Sequence, residues 1–325
     1  MRYRYREIDS LRGIAIIGIV VMHAGWRLPE TQLVRYASVL FSFAVPAFLA
    51  MAGLLMAAGP DRTILATFRH KVRNLYWPFV FWTAVYLAYR AHFEGLSITP
   101  MLLFSAFVQG AAEQHLYFVP LLVVSYTVFQ FFKEREYNPK ALLSVGLVAI
   151  LIADCLSLRL AIFWSAFYFS LGFYLHKNPF YRQPPKIMLL LAGVTSLCCF
   201  VVLLSTTTAT APYLLAMVPY SACVIVLLLH LGYRLRGVPA LLSGISRYSF
   251  SIYLAHWLVL DLVALLIPIG SDAKLIVMIL GGLAVPIVIG RLGNSLPYGV
   301  YLVGRAGSEG RQAGGQERIQ PLAEA

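Results

Sequence analysis

Long apolar stretches recur along this chain and constrain its fold more than any other feature. A transmembrane helix needs about 20 apolar residues to cross the hydrocarbon core of a bilayer. Ten stretches approach this length, over residues 8–27, 36–58, 74–91, 116–132, 140–154, 160–176, 187–205, 212–232, 248–268 and 274–303. Because 60% of the residues are hydrophobic and only 12% are charged, one soluble core cannot bury them. We therefore predict an all-α integral membrane protein, a bundle of about ten transmembrane helices.

The 26 Lys and Arg residues are unevenly divided between alternate loops. When the N-terminus is placed in the cytoplasm, the basic residues left in outer loops are Arg27, Arg35, Arg90, Arg159 and Lys274. This is the bias of the positive-inside rule, and it predicts that both termini are cytoplasmic. The formal charge of +12 is thereby explained without a nucleic-acid partner.

The chain shows no sign of a separate soluble domain. We predict one transmembrane domain over residues 1–304 and a disordered cytoplasmic tail over 305–325, because the tail has too few apolar residues to fold. The four cysteines lack the spacing of a metal site, so we expect no metal cofactor.

The first apolar stretch carries the most informative polar residues. Asp9 and Arg12 stand at its cytoplasmic end, and His23 follows eleven positions after Arg12. Eleven residues advance a helix by about 16 Å and through about three turns, so these side chains share one face. Such a row is costly in lipid unless it lines a polar cavity. The alternative is that Arg12 snorkels to the interface and His23 hydrogen-bonds a neighbouring helix.

A basic cluster lies where the second cytoplasmic loop enters the third apolar stretch. It contains Arg69, Lys71 and Arg73. Arg69 and Arg73 are one helical turn apart, so their guanidinium groups can bind phosphate oxygens in parallel. An anchor for lipid headgroups explains the charge equally well, although it does not explain the density.

The outer loop over residues 92–115 contains no Lys or Arg and leads into a polar, aromatic segment that holds Glu113, His115 and Tyr117. Aromatic rings stack on the apolar faces of sugars, and carboxylates accept hydrogen bonds from hydroxyls. We therefore predict that these three residues bind the acceptor substrate. A loop cap with an aromatic belt is the alternative.

The ninth apolar stretch contains a polar seam. Ser249, Tyr253 and His256 fall on one helical stripe, and we assign Tyr253 and His256 to acceptor binding. Packing between helices is the better explanation for the serine. Asp261 falls on a different face from His256, and Arg27, at the outer end of the first stretch, is expected to anchor at the membrane interface.

These residues together resemble the membrane acyltransferase 3 family, which includes O-acetyltransferases of bacterial surface polysaccharides. The segments that carry the resemblance are Ile8-Asp9-Ser10-Leu11-Arg12-Gly13-Ile14-Ala15 with His23, the basic cluster before Tyr76 and Pro78, His115-Leu116-Tyr117-Phe118, and Ser249-Phe250-Ser251-Ile252-Tyr253-Leu254-Ala255-His256. They follow the order of the family's motifs. Two positions depart from its pattern, since His70 replaces an arginine of its Arg-x-x-Arg motif and Tyr117 stands where tryptophan is common.

The resemblance implies a ten-helix enzyme of the bacterial inner membrane. Such an enzyme transfers an acyl group, usually acetyl, from cytoplasmic acyl-CoA to a hydroxyl of a cell-surface glycan or lipid-linked saccharide. Arg12 and His23 match the family's essential pair, and Arg73 matches a basic residue of its third-helix cluster. Asp9 is expected to orient Arg12, three residues away.

The expected mechanism follows from these assignments. Arg69, Lys71 and Arg73 hold the phosphates of acetyl-CoA, Arg12 lies at the mouth of the site, and neutral His23 acts as general base on the acceptor hydroxyl. A covalent acyl-histidine intermediate is an alternative to direct transfer.

A transporter or flippase for an anionic or lipid-linked substrate is the alternative function. Intramembrane Arg and His residues also mark transport pathways. Transporters commonly show inverted halves or paired broken helices, and the chain has no convincing internal symmetry of this kind.

Overall fold

A computed structural model describes residues 6–29, 31–155, 161–206, 211–235, 239–268 and 270–304. Within these ranges the chain is helical and contains no strand. The α-helices in chain order are α1 (Arg6–Gly25), α2 (Gln32–Leu40), α3 (Ala44–Ala58), α4 (Ile64–Lys71), α5 (Trp77–Phe93), α6 (Pro100–Gln109), α7 (Phe118–Glu134), α8 (Pro139–Cys155), α9 (Ala161–Lys177), α10 (Lys186–Ser205), α11 (Ala211–Arg234), α12 (Ala240–Arg247), α13 (Ser249–Leu266), α14 (Ser271–Ser295) and α15 (Val300–Val303). A π-helical segment, Val72–Tyr76, joins α4 to α5. The predicted tail lies outside the described residues.

The helices coincide with the apolar stretches of the sequence. Those in the described ranges that are long and apolar enough to cross a membrane are Arg6–Gly25, Gln32–Ala58, Lys186–Ser205, Leu215–Arg234, Ser249–Leu266 and Ala273–Ser295. Helices α5, α7, α8 and α9 overlap the other four predicted stretches and contain 17 residues each. The all-helical membrane fold is therefore confirmed, while the count of about ten spans and the cytoplasmic termini stay predictions.

The last predicted stretch, 274–303, is not one continuous helix. Helix α14 ends before Leu296, whose extended backbone (ψ 145°) is the conformation favoured in front of Pro297. The chain then turns back, and α15 packs against α5. There the indole N–H of Trp82 donates a hydrogen bond of 3.0 Å to the carbonyl of Leu302.

Helix α1 is the central helix of the bundle. It packs against α2, α3, α11, α12, α13 and α14, and most of its side chains are buried. Helix α10, by contrast, is mostly exposed, and large apolar side chains such as Leu190 and Leu197 are exposed along its length. An exposed apolar helix of this kind faces lipid in a membrane protein. Among the polar residues of α1, Glu7, Ser10 and His23 lie inside the protein.

Two glycines bring α3 and α9 into close contact. A side chain on Gly53 would overlap the carbonyl of Phe169, and one on Gly172 would overlap the carbonyl of Ala50. Small residues allow membrane helices to approach at the level of their backbones. This packing holds α3 in place, and α3 contributes Phe48 to the wall of the site described below.

A buried polar cluster ties α1 to the loop between α9 and α10 and to α11. Glu7 accepts hydrogen bonds from the hydroxyl of Tyr181 (3.2 Å) and the guanidinium of Arg182 (3.1 Å). His230 of α11 contacts the carbonyl of Tyr181 at 2.8 Å. Burial, with Glu7 adding to it, raises the pKa of Tyr181 to about 12. We call this the inner end of the bundle, because the sequence predicts that it lies in the cytoplasm.

Candidate active site

Three histidines meet at the opposite, outer end of the bundle. His23 comes from the last turn of α1, His115 from the loop before α7, and His256 from the middle of α13. The ring centroids of His23 and His115 lie 5.1 Å from that of His256 and 6.3 Å from each other. All three side chains are buried. The sequence marks each residue as a candidate, and the fold brings them into one cluster.

The hydrogen bonds of His256 determine which of its nitrogens carries the proton. Its Nδ1 lies 2.8 Å from the carbonyl oxygen of Ile252 and 2.9 Å from that of Tyr253. Carbonyl oxygens only accept, so Nδ1 must donate, and in a neutral ring the other nitrogen then carries a lone pair. That nitrogen, Nε2, lies 2.8 Å from Nδ1 of His23.

The same reasoning extends to His23. Because Nε2 of His256 accepts, Nδ1 of His23 donates, and the lone pair of His23 is left on its Nε2. The two rings are almost parallel, at an interplanar angle of 13°. A chain of hydrogen bonds that begins at the backbone of α13 thus holds His23 in the tautomer whose Nε2 can accept a proton.

Aromatic rings surround the cluster. Trp257 stacks on His115 at 5.2 Å between centroids and meets His23 edge-on at 4.8 Å, and Trp26 lies 4.7 Å from His23 on another side. The hydroxyl of Tyr253 donates a hydrogen bond to the backbone carbonyl of His115. The proton of this hydroxyl is therefore used within the protein, which makes Tyr253 a support for the loop that carries His115.

An ion pair closes the outer side of the cluster. Arg27 Nε donates to Asp261 Oδ1 at 2.6 Å, Arg27 Nη1 donates to the carbonyl of His23 at 2.9 Å, and the guanidinium lies 4.1 Å from the centroid of Trp257. The sequence predicts that Arg27 anchors at the membrane interface, but its side chain is only 11% exposed and joins the end of α1 to α13. One feature of the sequence points to this pair. Arg27 follows His23, and Asp261 follows His256, by about one helical turn.

A cavity of about 260 Å³ borders the histidines. His23 and His115 line it at the outer end, while Ile19 and Phe48 extend it inward by about one helical turn. Its surface is mostly apolar, with a few polar groups, which is the usual character of a small-molecule site.

An outer cleft of about 400 Å³ adjoins this cavity, because Gln114 and Tyr117 line both. Arg90 and Glu113 also line the cleft. Burial raises the pKa of Glu113. The structure thus places Glu113 in the cleft, His115 in the wall of the cavity, and Tyr117 in the lining of both.

Arg12 and Asp9 lie apart from the histidines. Arg12 Nη1 is 3.6 Å from Asp9 Oδ1, and neither residue lines the cavity. Along the helix, Arg12 is about 16 Å from His23. Asp9 is thus close enough to orient Arg12, as predicted, and this role stays a prediction. At this distance, neither side chain contacts a group bound at His23 in this structure.

The basic cluster lies at the junction of α4 and the π-helical segment. Lys71 Nζ sits 3.3 Å from the ring centroid of Tyr126, and Arg73 Nη2 donates to the hydroxyl of Tyr301 at 3.3 Å. Arg69 and Arg73 are exposed. The helix between them changes from α to π geometry, a feature often found at functional sites. A role in phosphate binding stays a prediction for all three residues.

Among the residues that the structure describes, no group of three or more His, Cys, Asp or Glu side chains is placed to hold a metal ion.

Comparison with known proteins identifies the family. The sequence model of the acyltransferase 3 family, described as an acyltransferase domain, matches residues 5–291. Comparison with curated proteins and with solved structures gives no match. The matched range covers most of the chain and contains all three histidines, and its apolar helices are those of a multi-pass membrane protein. The chain therefore belongs to the acyltransferase 3 family, a family of membrane acyltransferases.

Proposed function

We propose that this protein transfers an acetyl group from acetyl-CoA to a hydroxyl of a cell-surface glycan or lipid-linked saccharide in the bacterial inner membrane. The observation that supports this reaction most directly is the hydrogen-bond chain from α13 to His23. It leaves a lone pair on the Nε2 of a buried imidazole beside a cavity. A positioned imidazole of this kind is the most common general base in enzymes.

His23 is the proposed base. Its Nε2 takes the proton of the acceptor hydroxyl while the hydroxyl oxygen attacks the thioester carbonyl carbon. The carbon–sulfur bond then breaks, and the CoA thiolate leaves with the proton that His23 received. Proton transfer by a positioned base contributes about 10²–10⁴-fold to a rate. His256 is a positioning residue in this scheme, because it acts through His23.

The acceptor is proposed to enter through the outer cleft. Glu113 and Tyr117 lie there, and Tyr117 also lines the cavity that leads to His23. A carboxylate that accepts hydrogen bonds and an exposed aromatic ring are suited to a sugar. We assign Glu113 and Tyr117 to acceptor binding, whereas Tyr253 and His256 support the site instead.

The donor is proposed to bind from the inner end. Arg69, Lys71 and Arg73 would hold the phosphates of acetyl-CoA, since guanidinium groups bind phosphate oxygens in pairs. Arg12, paired with Asp9, lies on α1 toward the inner end. The distance of about 16 Å from Arg12 to His23 has to be covered by the pantetheine arm.

A glutamine at position 23 tests the proposal. His23→Gln keeps hydrogen bonding but cannot accept the proton, so we expect CoA release from acetyl-CoA to fall by about 10²-fold or more. The assay uses membranes from cells that carry the surface glycan and measures free thiol together with labelled acetyl on the glycan. His92→Gln, an exposed histidine at the end of α5, is the matched control. A normal rate in the His23 variant, at equal protein level, would contradict the proposal.

A further inference from the structure

His115 is the histidine of the cluster whose ring nitrogens have no hydrogen-bond partner among the described residues. Its side chain is only 5% exposed. A neutral imidazole carries one donor and one acceptor, and leaving both unpaired inside a protein is unfavourable. Unpaired buried groups of this kind are often reserved for a ligand.

The position of His115 points to the ligand it serves. The ring lines the same cavity as His23, with 6.3 Å between the ring centroids. A molecule bound in this cavity can therefore contact both rings. The nitrogens of His256 are occupied by His23 and the backbone, and the hydroxyl proton of Tyr253 is donated to a carbonyl.

The ring of His115 is also held in a fixed place. Trp257 stacks on it at an interplanar angle of 11°. Tyr86 and Tyr253 contact it edge-on, each at 5.4 Å between centroids. These three side chains hold the plane of the imidazole in place.

The surroundings of His115 keep its ring neutral. Burial, followed by the nearby His256, His23 and Arg27, holds the pKa of His115 well below its usual range. The backbone carbonyl of Leu254, which also accepts a hydrogen bond from the hydroxyl of Tyr86, acts in the opposite direction. A neutral, preorganised donor in a site of low polarity is what a developing negative charge requires.

We propose that His115 is a further catalytic residue, which donates its N–H to the carbonyl oxygen of the acyl thioester and stabilises the oxyanion. This inference rests on the proposed function. As the acceptor oxygen bonds to the carbonyl carbon, the π electrons move to the carbonyl oxygen, which becomes negative. When the carbon–sulfur bond breaks, those electrons return and the thiolate leaves. His115 gains and loses no proton in this cycle.

The test compares His115→Phe and His115→Gln with wild-type protein. Phenylalanine keeps an aromatic ring against Trp257 but removes the donor, so we expect kcat to fall about 10²–10³-fold with the KM for acetyl-CoA within a few-fold of normal. Glutamine retains an N–H donor and should recover part of kcat. His92→Phe, at an exposed histidine, is the matched control and should retain full activity.

A second donor separates a catalytic role from a structural one. Fluoroacetyl-CoA has a more electrophilic carbonyl and forms a less basic oxyanion, so the loss in His115→Phe should be smaller with it than with acetyl-CoA. Equal losses with both donors, or a change confined to the KM for the acceptor, would overturn the inference. If wild-type protein releases no CoA at all, the proposed function fails; if it does and His115→Phe matches it, only the inference about His115 fails.

Discussion

At the scale of single residues, the two nitrogens of His256 have different partners, and this asymmetry decides what His23 can do. One nitrogen donates to backbone carbonyls of α13 and the other accepts from His23. In many enzymes a carboxylate selects the tautomer of the catalytic histidine. Here a second neutral imidazole supplies the acceptor, which avoids burying a negative charge among the helices.

Substitutions of His256 test this arrangement. His256→Leu removes the acceptor for the N–H of His23, so the wrong tautomer becomes accessible and we expect kcat to fall by about 10²-fold. His256→Gln retains a side-chain oxygen that can accept this hydrogen bond, so it should recover at least part of the loss. Steady-state kcat and KM for acetyl-CoA provide the measurement. A raised KM with normal kcat in His256→Leu would instead indicate that His256 binds a substrate.

At the scale of helices, the approach of α3 to α9 depends on glycine. Gly53 and Gly172 each face a backbone carbonyl of the other helix, whereas on the exposed helix α10 a side chain at Gly193 would have no neighbouring atom within 4 Å of its Cβ. The same residue type therefore has opposite effects on stability at these positions. In a contact helix glycine permits close packing, while in an exposed helix it only costs conformational entropy.

Alanine substitutions at these glycines should differ in sign. Gly172→Ala places a methyl group where it overlaps the carbonyl oxygen of Ala50. We therefore expect the free energy of unfolding to fall by about 1–3 kcal/mol. Gly193→Ala is the control and should leave stability unchanged or raise it by about 1 kcal/mol, because alanine favours helix. Thermal unfolding of the purified protein in detergent measures both. A Gly172→Ala protein as stable as wild type would show that α3 and α9 can separate without cost.

At the scale of the whole molecule, the proposed reaction joins two ends of the bundle. The histidines and the cleft with Glu113 lie at the outer end, and the cluster with Arg73 belongs to the predicted cytoplasmic side. Donor and acceptor are therefore expected to approach from opposite faces. This separation would keep acetyl-CoA in the cytoplasm while its acetyl group is used outside.

Proteoliposomes of known orientation test the sidedness. Acetyl-CoA should be consumed only when it is supplied on the face that bears Arg73, and the glycan acceptor should react only on the face that bears Glu113, with CoA released on the donor side. Sidedness is measured by free thiol and labelled glycan in the two compartments. Use of both substrates from one face would refute this path through the protein. Movement of an intact substrate without thioester cleavage would instead identify a transporter.

The sequence by itself determined the membrane fold, its helical class and most of the residues of interest. Apolar stretches of about 20 residues can satisfy their backbone hydrogen bonds in lipid only as helices, so their approximate positions follow from local composition. His23, His115 and His256 are also identifiable, because a titratable side chain within or beside an apolar span needs a polar environment. The last apolar stretch is predicted to run through Leu296 without a break, although Asn294, Ser295 and Pro297 are residue types common in turns.

Only the tertiary structure decided how these residues act together. His23 and His256 are 233 positions apart in the sequence. No periodicity predicts that packing of α1 against α13 places Nδ1 of His23 2.8 Å from Nε2 of His256. The ion pair of Arg27 with Asp261 likewise joins two helix ends that are distant in sequence. Helical spacing specifies which side chains share a face, but the rotation and depth of one helix against another depend on packing of the whole bundle. The tautomer of His23 and the unpaired nitrogens of His115 are consequences of that packing.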